Sequence, residues 1–207
     1  MFDSKRILDQ LVGSGFAGGL AGGAAGAALV NALSGKKARK YAGTALKAGG
    51  VALVGGLAYK AWQHYQGGQQ AGNEAAPAAF VPQAQGESDA LGLLLVRAMI
   101  AAARADGNLD STEHHAIMSR IGEMNLDDAE KAYLFEQFTA PVDVFSLAGE
   151  ADTPEHAAEM YAASALILDQ PSDSEQRYLD TFAAALRLDA GLRTEIHRAI
   201  DDQQQAA

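Results

Sequence analysis

From Gln10 to Gly35 the chain carries no charged side chain, and the run from Gly13 to Val30 is built almost wholly of glycine and alanine. Each glycine in a water-exposed helix costs about 1 kcal/mol relative to alanine, so this tract is a poor surface helix. The glycines are nevertheless regularly spaced. Gly15, Gly19 and Gly23 fall four apart, as do Gly18, Gly22 and Gly26. A helix with that spacing presents two smooth ridges to which another backbone can come close, the pattern used between membrane helices. The 26 uncharged residues also exceed the roughly 20 that cross a bilayer. The competing expectation is a low-complexity tail with no fixed structure.

A second apolar segment, Ala42 to Trp62, repeats the theme with Ala48, Ala52 and Gly56 four apart, but Lys47 interrupts it. Tyr59, Trp62 and Tyr65 at its end read as an interfacial aromatic belt if the segment lies in lipid. Between the segments, Lys36, Lys37, Arg39 and Lys40 form a basic cluster of the kind that stays cytoplasmic and contacts anionic lipid. Residues 1–65 are therefore expected to be membrane-associated, with lipid as a partner and self-association through the glycine ridges. A single span is favoured, which leaves the rest of the chain in the cytoplasm; a two-span hairpin would put it in the periplasm. The uncharged run is too long and too poor in leucine for a cleaved secretory signal.

Charge divides the chain in the same place. Residues 1–65 hold eight Lys/Arg against two Asp/Glu, and residues 66–207 hold eight against 24, a net of −16. That balance repels a phosphate backbone, so nucleic acid is not an expected partner, whereas cations and a protein with a basic surface are. With no cysteine there is no disulfide, thiolate metal site or cysteine nucleophile.

Residues 66–88, rich in Gly, Gln and Ala with Pro77 and Pro82, read as a flexible linker, and an acidic domain is expected over 89–207. Its pattern is helical throughout. Leu91, Leu94, Leu95, Ala98, Met99 and Ala102 follow helical spacing, and Asp110 with Glu113, Asp127 with Glu130 and Ser172 with Glu175 are cap and closing-glutamate pairs. Thr153-Pro154 opens a helix that is apolar on most faces through Leu168 and should be central. The expected fold is all-α, about seven helices. Glu113 to Asp127 and Glu175 to Asp189 each span fourteen residues and each ends in Leu-Asp, a two-fold internal repeat offset by about 62 residues.

Asp106-Gly107-Asn108-Leu109-Asp110-Ser111-Thr112-Glu113 reproduces the second half of an EF-hand loop, but Ala102 and Arg104 stand where the leading carboxylates belong. A true EF-hand is excluded. A divalent cation such as Ca²⁺ could still be held by Asp106, Asp110 and Glu113 if the second lobe lent Asp169, Asp173 or Glu175. Helix capping is the alternative use of the same residues, although it gives Asp106 no role.

Ala-Asp-Gly-x-Leu-Asp-x-x-Glu at 105–113, with Asp169 and Glu175 in a second lobe, resembles the TerB fold of tellurite-resistance proteins. With the Gly-rich N-terminus, the basic cluster and the Gln/Ala linker, nearly the whole chain resembles the YebE-type inner-membrane family of unknown function. The resemblance implies an all-helical domain with an acidic, cation-binding surface near Asp106, Asp110 and Glu113, in a membrane-linked stress response rather than catalysis. Gln170-Pro171 replaces the first lobe's Gly107-Asn108, a departure from equal lobes.

No nucleophile elbow, P-loop or His-Glu-x-x-His motif is present. The expected function is a membrane-tethered, non-enzymatic interaction module with a divalent-cation site. The alternatives are a carboxylate-metal hydrolase or a structural membrane oligomer.

Overall fold

The computed structural model describes residues 3–13, 50–67, 80, 85–105, 115, 118–119, 121–168 and 171–206. The Gly-rich tract, its glycine ridges and the basic cluster lie outside them. The described chain is helical with no strand, an all-α bundle as expected. Its helices are α1 (Ser4–Gly13), α2 (Gly50–Tyr65), α3 (Gln85–Ala103), α4 (Asp128–Thr139), α5 (Val144–Ala148), α6 (Pro154–Ile167), α7 (Asp173–Ala185) and α8 (Ala190–Ala206).

The bundle is built around α6, which is buried from Ala157 through Ile167. A helix apolar on every side must be covered on every side, and α2, α3, α7 and α8 all pack on it. At the centre of the α3, α6 and α7 contact, the Ala98 carbonyl accepts from Ser164 Oγ at 3.0 Å and from Tyr178 Oη at 3.4 Å. One backbone oxygen thus satisfies two buried hydroxyls that would otherwise be costly to enclose.

The starts of these helices follow their sequence signals. Asp127 and Glu130 make a reciprocal capping box on α4, and Ser172 and Glu175 make one on α7. Thr153 Oγ1 accepts from His156 N at 3.1 Å ahead of Pro154. The repeat offset also holds at α4 and α8, which begin at Asp128 and Ala190, 62 residues apart.

The body does not begin near Asp89. Helix α3 starts at Gln85, and both α1 and α2 pack into the same body. Ile7, Leu8 and Leu11 bury one face of α1, chiefly on α3, while Arg6 and Lys5 stay exposed. The N-terminus of α1 is pinned at buried Glu130, whose Oε1 accepts from Asp3 N at 3.2 Å and whose Oε2 lies 3.6 Å from Arg6 Nη1. Ser4 sits against Gly92 of α3, where a β-carbon would come within 2.5 Å of its Oγ.

The described part of the second apolar segment is α2. Leu53, Val54, Leu57, Ala58 and Ala61 bury one face of it, and α2 packs on α8, α6 and α1. Lys60, on the other side, pairs with Asp202 of α8 at 2.7 Å. Tyr59 and Trp62 hold the Phe80 ring at centroid distances of 5.6 and 6.0 Å, so these aromatics form a cleft for a linker residue rather than an interfacial belt. Among the described residues no helix is long and apolar enough to cross a membrane.

Candidate functional site

Of the six expected cation ligands, Asp106, Asp110, Glu113 and Asp169 lie outside the described residues. The other two are placed at the start of α7. Glu175 is buried, and its Oε2 accepts from Ser172 N at 2.6 Å, so its carboxylate serves the capping box. Asp173 is the exposed first residue of the helix, where a negative charge favours the helix dipole. Among the described residues no group of three or more His, Cys, Asp or Glu is placed to hold a metal ion. Arg104, two residues before the acidic turn, donates from Nη1 to the Gln137 carbonyl at 3.4 Å and to that of Ala140, closing the C-terminus of α4.

A concavity of ligand size lies elsewhere among the described residues. A groove of about 510 Å³ runs between the end of α2, the α5–α6 connection and the α7–α8 turn. Trp62, Ala157, Leu186, Leu188 and Leu192 give it apolar walls, and Tyr65, Asp152, Thr153, Arg187 and Asp189 give it polar or aromatic edges. This size and lining are those of small-molecule or peptide sites. Two of its polar groups are already engaged: Thr153 caps α6, and Asp189 Oδ1 accepts from Gly191 N at 2.7 Å. Its walls are apolar, and charged side chains stand at its edges.

Arg187 occupies an unusual position on that edge. Helix α7 ends with Arg187 N donating to the Ala184 carbonyl at 3.1 Å and Leu188 N to that of Ala183 at 3.0 Å, a Schellman closure. The closure needs a left-handed residue, and Arg187 supplies it at φ 56° where glycine is usual. Arg187→Gly should therefore raise stability by up to about 1 kcal/mol, read as a higher urea midpoint. A lower midpoint would show that the arginine side chain holds the turn.

Two buried polar side chains lie outside the residues singled out from the sequence. Tyr161 Oη lies 3.0 Å from His197 Nε2, tying α6 to α8, and burial lowers the His197 pKa. Glu159 is enclosed within the apolar run of α6. Its one available signal is that an acid interrupts the apolar run from Ala157 to Ile167.

Comparison with known proteins places this architecture among proteins whose role is open. An uncharacterized protein in the ampR 5' region of Yersinia enterocolitica is 25% identical over 112 residues, which is 54% of this chain and 81% of that protein. No solved structure matches the chain. A family described as "Protein of unknown function (DUF533)" matches residues 17–200, and the chain belongs to this TerB-like family.

Proposed function

We propose that the chain is a non-enzymatic interaction module held at a membrane surface from one side, with an acidic helical body and a Gly/Ala-rich loop for lipid. The observation that carries this reading is the docking of α1 and α2 on one body. The 36 residues 14–49 join the end of α1 to the start of α2, so both ends of this stretch lie at that body. A single crossing by residues 14–35 would leave 36–49, with five positive charges, to bring the chain back. Those fourteen residues are fewer than the roughly 20 a second crossing needs. This reading therefore departs from both the single span and the two-span hairpin expected from the sequence. The reading is shallow insertion, with Lys36, Lys37, Arg39 and Lys40 on anionic headgroups. Body and basic cluster then share one side, and the positive-inside rule makes it the cytoplasmic one.

In this reading the groove beside Trp62 takes a protein partner, and a weakly bound divalent cation at the acidic turn adjusts the adjoining surface. Lipid binding is tested by flotation with vesicles containing anionic lipid. The full chain should float, and a chain with residues 14–49 replaced by a twelve-residue Gly/Ser linker should stay at the bottom. Neutralising the four basic residues to glutamine should leave most of the protein unbound. A full chain that does not float, or a loop-replaced chain that floats equally well, would contradict the reading.

A further inference from the structure

Helix α6 carries a buried acid at the point where α2 crosses it. Glu159 is 1% exposed, and among the described residues its Oε2 is enclosed without a hydrogen-bond partner. Native proteins leave few such groups, and each calls for an explanation. Its Oε1 lies against Gly55 of α2. A β-carbon at residue 55 would come within 3.0 Å of Oε1 and 3.4 Å of the Phe80 carbonyl oxygen. The carboxyl thus occupies a slot that exists because residue 55 has no side chain. Phe80, whose carbonyl borders that slot, has its ring held by Tyr59 and Trp62 of the same helix α2.

Among the described residues, the countercharges on the surrounding elements are committed elsewhere, Arg193 and Arg198 of α8 to Asp180 and Glu195. Lys60 of α2 is paired with Asp202 at 2.7 Å, Arg97 of α3 with Glu150 at 2.5 Å, and Arg6 of α1 is drawn to Glu130. His64 is exposed at the end of α2, and His197 of α8 is bonded to Tyr161. On α6 itself the nearest charge is Glu155, one turn back and of the same sign. Burial, and then Glu155, push the Glu159 carboxyl up to about 8. The neutral acid suits the slot; a carboxylate would be desolvated with nothing among the described residues to balance it.

We infer that Glu159 is a proton-held latch: its neutral carboxyl keeps α2 and Phe80 seated on α6, and its ionisation loosens that corner and frees the helix that follows the Gly-rich tract. The sign is fixed by the folded value lying above the ordinary 4.5. The stabilisation is complete below about pH 4.5 and is lost as pH rises to about 8, so the latch is shut in acid and open in alkali. This inference concerns docking within the body and stands whether or not the loop binds lipid.

Trp62, the one tryptophan of the chain, lies edge-on to Phe80 and reports the corner directly. Emission of the full-length chain should shift to the red between pH 7 and 9.5, with a midpoint near 8. Glu159→Gln keeps the size and removes the charge, so its emission should stay constant over that range. Glu159→Met serves the same purpose if the glutamine variant fails to show a native circular dichroism spectrum. A wild type without the transition, or a folded charge-free variant that retains it, would overturn the latch.

Discussion

Gly92→Leu should drive α1 off the body and lower the stability of the chain by about 3 kcal/mol, the upper range for overpacking a close contact. Two effects oppose one another at this position. Replacing a helix-interior glycine favours α3 by about 1 kcal/mol through backbone entropy. Against that, even the first added carbon would lie 2.5 Å from Ser4 Oγ and 2.9 Å from Ser4 Cβ. A serine has no long, flexible end to swing aside, so α1 itself must move. Its displacement uncovers Ile7, Leu8 and Leu11 and breaks the contacts of Asp3 and Arg6 with Glu130. Each large side chain uncovered forfeits about 1.5–3 kcal/mol of burial, partly offset by the freedom that α1 regains. Urea unfolding measures the loss. Ser4→Gly should partly restore a Gly92→Ala variant, since it removes the two atoms in the way, and a double-mutant cycle isolates that coupling.

The sequence made some of this architecture readable and concealed the rest for definite reasons. Local rules gave the helix starts, because a cap and its partner glutamate lie three residues apart: Asp127 with Glu130 and Ser172 with Glu175 both form the boxes their spacing implies. The central place of α6 was readable because a helix without a polar face has no other stable position. The place of α2 was not. Small residues at four-residue spacing let backbones approach closely in lipid and in a protein core alike, so Ala52 and Gly56 could not tell one setting from the other. Lys60 interrupts a span in lipid, but in this bundle it pairs with an acid 142 residues away. Tyr59 and Trp62 read as a belt only while Phe80, their actual contact, is taken as part of a free linker.

The candidate sites divide along the same line. The acidic turn stood out because its residues are consecutive, and its second-lobe counterpart Glu175 is used for capping. The groove draws on residues near 62–65, 148–157 and 185–192, segments that no local motif connects. Glu159 is invisible in the same way, since helical spacing does not reveal that a glycine from α2 lies opposite.

The largest expected effect comes from removing α1 and α2 together. Leu53, Val54, Leu57, Ile7, Leu8 and Leu11 cover the body, and α2 lies directly on α6 and α8. At about 1.5–3 kcal/mol each, their gross burial is of the order of the whole 5–15 kcal/mol stability of a typical domain. Residues 85–207 alone would leave α6 partly bare and Glu159 at a surface, in a shape that the remaining helices do not close.

Urea unfolding, followed by circular dichroism, of two chains tests this most directly: residues 85–207 alone, and the whole chain with residues 14–49 replaced by a twelve-residue Gly/Ser linker. The account predicts a cooperative transition for the loop-replaced chain, and for the fragment a broad, early transition or none. A fragment that unfolds cooperatively at the same urea midpoint as the loop-replaced chain would contradict the conclusion that α1 and α2 are integral to the body.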